Sequence, residues 1–259
     1  MRLEGVRVIL LFLVTSLSWS TNAGSSIVIS TGEYPPYSSM QLKYQGLIPH
    51  IIIRAFAHKG VDVKFNFYPW KRAYRLSEQG VVDGTATWLE SAERRKAHLY
   101  SDQIFAENYV WFYLKSAPLE WKDYPNLVDR SIVALSGYTY NTSFYDAIKS
   151  VPLNVQFVTR LRQSFDLILN GRADLTLENL DVGWYSLRQF YPASTVELFT
   201  THNKPVISGG AFLLISRKRP DAAKLISIFN QGLEALRESG ELEKMIQNSR
   251  NGQYDLDKS

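Results

Sequence analysis

Apolar and polar positions along the chain switch repeatedly between two periods. Residues 26–30 form an apolar run too short for a buried helix, and 61–68 alternates, with Val61, Val63, Phe65 and Phe67 on one face. Both patterns predict strands. A third strand is expected over 81–88 and a long aromatic one over 104–114. Between them, 46–59 and 70–79 carry helical patterns that stop at Gly60 and Gly80. The pattern breaks at 116–119 and then restarts. Strands are expected over 131–135, 155–158, 173–178 and 196–199, and helices over 141–149, 161–170 and 180–190. Residues 201–205 read as a return connection into a strand over 210–216, followed by helices over 221–238 and 241–247. Strand–helix alternation of this kind predicts an α/β fold with largely parallel sheets. Its restart predicts two lobes.

Residues 1–23 stand apart. Arg2 and Arg7 open the segment, 8–14 is apolar, and Thr21-Asn-Ala23 offers small residues for cleavage. This is the pattern of a secretory signal peptide. Its apolar core is shorter than the roughly 20 residues of a spanning helix. The expected location of the mature protein is therefore the periplasm. The net charge of +4 is mild and forms no dense basic patch, which argues against nucleic acid as a partner. The chain has no cysteine, so disulfides and thiolate metal sites are excluded. His50, His58, His98 and His202 lie far apart without ligand spacing. No phosphate-binding, dinucleotide or nucleophile-elbow motif is present, and no cofactor is expected.

In open parallel sheets the ligand groups sit at the carboxyl ends of strands. That rule selects Glu33 and Tyr34 after the first strand, Thr87 and Trp88 after the third, and Arg94 just beyond. In the second half it selects Tyr138 and Thr139, then Glu178 and Asn179. Trp70 opens a helix after Pro69 and is placed to form an aromatic wall. Each has a structural alternative. Tyr34 and Tyr37 flank a Pro-Pro pair on which they could pack, and Trp70 and Trp88 could be core. Thr139 and Asn179 could be helix N-caps. Arg94 could belong to a solvated face with Arg95 and Lys96. Its position in the first turn of a short helix capped by Ser91 opposes the helix dipole, which points to a pre-positioned carboxylate binder.

Residues 90–102, with Glu93-Arg94, a spacer and Tyr100-Ser-Asp102 after a strand, resemble the signature of bacterial extracellular solute-binding proteins of the polar-amino-acid type. The resemblance covers essentially the whole mature chain. It implies a two-lobed periplasmic-binding-protein fold in which 24–114 plus 204–259 form one lobe and 115–203 an inserted second lobe. Two crossing segments would act as the hinge. It also implies a monomer that closes on a small carboxylate-bearing solute and delivers it to an inner-membrane permease or sensor. Arg94 would grip the carboxylate through two parallel hydrogen bonds. The sequence departs from the family at two positions. Asn179 stands where an acid pairs with the ligand ammonium group, with Glu178 beside it expected to face the other way, and Leu89 replaces a serine. An organic acid or a modified amino acid is favoured by a carboxylate grip lacking that acid. A one-residue slip onto Glu178, or Glu33, would restore it. An enzyme on the same scaffold, resembling the periplasmic dehydratases of aromatic amino-acid synthesis, is the alternative.

Overall fold

The computed structural model describes residues 26–88, 90–136 and 140–256. The expected signal peptide, Leu89, Tyr138 and Thr139 lie outside them. In chain order the strands are β1 (Ser26–Thr31), β2 (Asp62–Phe67), β3 (Gly84–Trp88), β4 (His98–Tyr100), β5 (Phe105–Leu114), β6 (Ser131–Leu135), β7 (Asn154–Val158), β8 (Leu175–Asn179), β9 (Phe199–Thr201) and β10 (Ile207–Ser216). The helices are α1 (Leu47–Ala57), α2 (Trp70–Glu78), α3 (Ala92–Ala97), α4 (Thr142–Ser150), α5 (Leu161–Leu169), α6 (Leu180–Phe190), α7 (Ala193–Val196), α8 (Ala222–Glu238) and α9 (Glu241–Arg250).

The fold is α/β and two-lobed. One parallel set, β2-β1-β3, meets the carboxyl half of β10 antiparallel to β3. A second parallel set, β7-β6-β8, meets β5 antiparallel to β8. The two sets join where β5 and β10 pair with each other, from Phe105 opposite Ala211 to Tyr109 opposite Ile207. The β10 register shifts between Phe212 and Leu213, where that strand passes from one set to the other. A bulge bends a strand and increases its twist, so the junction sits where the sheet curls. The apolar interior is correspondingly divided. One cluster gathers Ile27, Ile29, Ile48, Ile51, Phe56 and Phe229 around α1 and α8. Two others gather Trp111, Ile132 and Phe144 on one side of the second set, and Phe112, Val133 and Phe165 on the other.

Several expected boundaries move. Residues 81–83 form a turn before β3. The strand expected over 196–199 is replaced by α7, entered from Pro192, with β9 following at Phe199–Thr201 and pairing with β5. Proline suits a helix entrance, because its missing N–H has no intrahelical partner there anyway. β10 begins at Ile207 rather than 210, since Ser208-Gly-Gly210 is held by pairing with β5.

α1 and α8 pack so closely that a Cβ on Gly232 would lie 2.0 Å from the Ala55 carbonyl oxygen. Gly232→Ala must therefore push the helices apart. Overpacking of this kind costs roughly 1–3 kcal/mol, partly offset by about 1 kcal/mol of helix propensity. A lower Tm by circular dichroism is the expected result, and an unchanged Tm would mean that the helices separate at no cost.

Candidate functional site

The loop after β1 is folded on itself. Ser38 Oγ donates to the Gly32 carbonyl at 2.7 Å, and Tyr34 N–H donates to the Ser38 carbonyl at 2.7 Å. Glu33 is exposed and accepts the Met40 N–H at 3.1 Å. Tyr34 reaches β5, with its hydroxyl 3.2 Å from that of Tyr109. From Tyr34 a row of aromatic edges runs across the first lobe. Tyr34 meets Trp70 at 6.4 Å, Trp70 meets Trp88 at 5.2 Å, and Tyr74 meets Trp88 at 5.6 Å. The Arg94 guanidinium lies over the Trp88 ring at 4.6 Å. Trp88 is itself fixed, since its Nε1–H donates to Thr85 Oγ1 at 2.8 Å and Thr85 donates to the Ser30 carbonyl at 2.9 Å. Ser91 makes no side-chain cap to α3, contrary to the expected cap, so the contact of Arg94 with the indole does not depend on a capped helix end.

Thr87, the next-to-last residue of β3, has φ at +69°. A β-branched residue is rarely found there, and such strain clusters at functional sites. Its hydroxyl is buried without a hydrogen-bond partner, as is that of Thr31 at the end of β1.

The second lobe contributes the end of β8. Asn179 caps α6, with Oδ1 accepting from Asp181 N at 3.0 Å, Val182 N at 3.2 Å and the Tyr37 hydroxyl at 2.9 Å. Three donors identify that atom as the oxygen, because the amide nitrogen could accept none of them. Its Nδ2 is then a buried donor with no partner. The Glu178 carboxyl is fully buried, takes the Asn179 N–H on Oε1 at 2.7 Å, and leaves Oε2 without a partner. Burial pushes it up to about 8, and it lies close enough to raise Tyr34, Tyr109 and Tyr140 electrostatically. Glu107 on β5 is 3% exposed and is pushed up to about 7, first by burial and then by Asp181.

Thus Tyr34, Trp70, Trp88 and Arg94 come together, with Thr87 on the strand that ends at Trp88. Glu33 is tied back to its own loop, and Asn179 is bonded chiefly to Tyr37 and α6. Sequence reasoning considered Tyr37 only as a residue packing on the prolines and missed Glu107. Tyr37 is buried and joins the first loop to Asn179 and, at 3.0 Å, to Asp181. Glu107 carried a signal: a lone acid inside an aromatic strand. Among the described residues no group of three or more His, Asp or Glu is placed to hold a metal ion, and no helix is long and apolar enough to cross a membrane. What the arrangement offers is a rigid aromatic wall, one guanidinium and several buried polar atoms, a set suited to binding a small polar molecule.

Residues 27–249 match the profile of a family described as bacterial extracellular solute-binding proteins, family 3. No curated protein sequence matches the chain. Among solved structures, substrate-binding domain 2 of Lactococcus lactis GlnP, in an open conformation, aligns with a TM-score of 0.69 at 20% identity, over 88% of this chain and 97% of that one. A histidine kinase sensor domain with similarity to periplasmic binding proteins aligns with a TM-score of 0.63 at 17% identity, over 87% and 96%. An ancestral amino-acid-binding protein described as a precursor of cyclohexadienyl dehydratase aligns with 0.61 at 17%, over 86% and 94%. At these identities the likeness is one of fold.

Proposed function

This chain belongs to the bacterial extracellular solute-binding proteins of family 3, and from that premise we propose that it captures a small carboxylate-bearing solute between its lobes. The solute is an amino acid or a related organic acid, and it is handed to an ABC-type permease. Residues 24–114 plus 204–259 make one lobe and 115–203 the other. The first 23 residues direct export to the periplasm, where the mature chain works as a monomer.

One observation carries this reading. Polar atoms without partners are buried at the carboxyl ends of β1, β3 and β8, namely Thr31 Oγ1, Thr87 Oγ1, Glu178 Oε2 and Asn179 Nδ2. Buried polar groups are nearly always hydrogen-bonded, and each exception costs about 1–3 kcal/mol. Four such exceptions at strand carboxyl ends, drawn from both lobes, are well matched to a polar guest held where the aromatic wall and Arg94 follow those ends. In this reading Arg94 holds the carboxylate, with Thr139 as its counterpart on the second lobe. Tyr34, Trp70 and Trp88 form the wall, Thr87 and Asn179 contribute hydrogen bonds, and Glu33 and Tyr138 close the rim. Closure is favoured only as far as the guest touches both lobes.

A second reading, an enzyme on this scaffold, draws on Glu178, which keeps its proton to about pH 8 and so could serve as an acid. Turnover of prephenate or arogenate would establish it.

The test of the binding reading is a thermal-shift screen of the mature chain against amino acids, organic acids, amines and short peptides. A ligand at a hundred times its Kd adds about 2.7 kcal/mol. One chemical class bearing a carboxylate is expected to raise Tm. A shift with carboxylate-free amines alone would sink the proposed grip.

A further inference from the structure

A separate cavity of about 310 Å³ opens at the seam between the lobes, lined by Pro36, Leu180, Asp181, Trp184, Arg188 and Arg250. It shares none of the residues assigned above to the solute cleft. Leu180, Asp181, Trp184 and Arg188 fall on one face of α6 at helical spacing. Pro36 comes from the loop after β1 and Arg250 from the end of α9. The cavity is therefore walled by both lobes.

Its charges are unevenly satisfied. Asp181 is fully engaged, accepting from Arg250 Nε at 2.8 Å, Arg250 Nη2 at 3.4 Å and the Tyr37 hydroxyl at 3.0 Å. Arg188 has no ion pair or acceptor among the described residues, and its Nε–H is buried without a partner. The other acids in this neighbourhood, which with Arg188 shift Tyr185, are Asp255 and Glu33. Asp255 already accepts from Gln189 Nε2 at 3.2 Å, and Glu33 from the Met40 N–H. The lining thus carries two guanidiniums against one carboxylate, and one guanidinium is unanswered. The apolar part of the lining is Pro36, Leu180 and the half-buried Trp184 indole, which is braced edge-on by Phe112 at 5.5 Å. A buried arginine N–H that lacks an acceptor is costly, and a carboxylate meets it with a charge-assisted hydrogen bond.

We propose that this seam cavity is a second ligand site, taking a small aromatic monocarboxylate whose carboxylate meets Arg188 and whose ring lies against Trp184. The volume is at the lower end for small-molecule sites, which limits the occupant to about one ring. Because the walls belong to both lobes, the occupant stabilises the lobe arrangement in which this cavity exists, and a cleft ligand that favours the same arrangement is coupled to it. By linkage the occupant raises the affinity of the solute cleft for that ligand, and the ligand raises affinity here by the same factor.

The experiment uses the mature chain, benzoate as the probe and inorganic phosphate as the comparison, read by thermal shift and by Trp fluorescence. Benzoate is expected to give a saturable signal that survives Arg94→Ala and weakens roughly tenfold or more in Arg188→Gln, the size of one charge-assisted hydrogen bond. Arg188 has no bonded partner, and its charge in the last turn of α6 is worth about 0.3–1 kcal/mol, so the variant should lose at most a few degrees of unliganded Tm. Trp184→Leu, which keeps an apolar wall and the charge, should weaken benzoate but not abolish it. A benzoate signal lost in Arg94→Ala and kept in Arg188→Gln would assign the molecule to the cleft and overturn the second site. Phosphate binding as tightly as benzoate would overturn the aromatic class, and no saturable signal with either would overturn the site.

Discussion

Arg94→Ala is expected to remove most of the ligand-induced rise in Tm while leaving the unliganded protein folded. The two effects separate because Arg94 is only half-buried, and the face of Trp88, at 4.6 Å, is one of its contacts. A partly exposed cation–π contact is worth about 0.5–1 kcal/mol. In a chain of this size 1 kcal/mol moves Tm by roughly 2–4 °C, so the unliganded loss should stay within that range. The ligand term is larger. A solute at a hundred times its Kd contributes about 2.7 kcal/mol, or roughly 5–10 °C on the same scale. Each hydrogen bond between a guanidinium and a carboxylate contributes about 1.5–3 kcal/mol, and the proposed grip has two. Removing both should raise Kd by two orders of magnitude or more and cut the contribution at the same solute concentration to about 0.4 kcal/mol or less. Arg94→Lys gives the finer test. It restores the charge without the fork, so it should recover part of the shift and not all of it. A full shift in Arg94→Ala would remove Arg94 from the site, and the aromatic wall would then have to bind without it.

Short-range pattern and long-range contact differ in how they show in the sequence. β1, β6 and α6 were legible to within a residue because each carries its own signal. β1 and β6 are short apolar runs, and α6 starts at Asn179, a residue whose side chain can cap it. The carboxyl-end rule likewise found Tyr34, Trp70, Trp88 and Arg94, which the fold brings into one row. The remainder depends on partners far away in the chain. Tyr37 and Asn179 are 142 residues apart, and nothing local to either announces the bond. Asn179 had two open readings, cap and cleft, and the cap is what its oxygen does. β10 starts early because β5 pairs with its glycines, a contact that hydropathy cannot register. Glu107 and Glu178 are a different case. Both were visible as acids within apolar strands, but their burial depends on the joining of the two lobes.

Glu178→Gln is expected to flatten the pH dependence of stability between pH 7 and 8. The carboxyl ionises near 8 in the folded chain against an ordinary 4.5, so across that window the native state holds a proton that the unfolded chain has released. Stability changes with pH in proportion to protons bound unfolded minus protons bound folded. That difference is negative, so stability falls as pH rises from about 4.5 and levels off above about 8. Two other sets of groups must be kept apart. Glu107 acts with the same sign, but its window closes near 7. His50 and His98 are lowered by burial. Their folded forms resist protonation, so their effect is a loss of stability as pH drops below the ordinary 6.5. Between pH 7 and 8 the slope therefore belongs chiefly to Glu178, and it amounts to about 1 kcal/mol, or roughly 2–4 °C. Glutamine keeps the shape and can still accept the Asn179 N–H through its amide oxygen, so the variant should remain folded and lose only the slope. Urea titrations at pH 7 and 8 on both proteins measure it. A wild-type curve already flat over that interval would mean that Glu178 is ionised in the native state, with a cation or additional donors at Oε2. The end of β8 would then present a negative charge to the solute, and an ammonium-bearing amino acid would become the favoured guest over an organic acid.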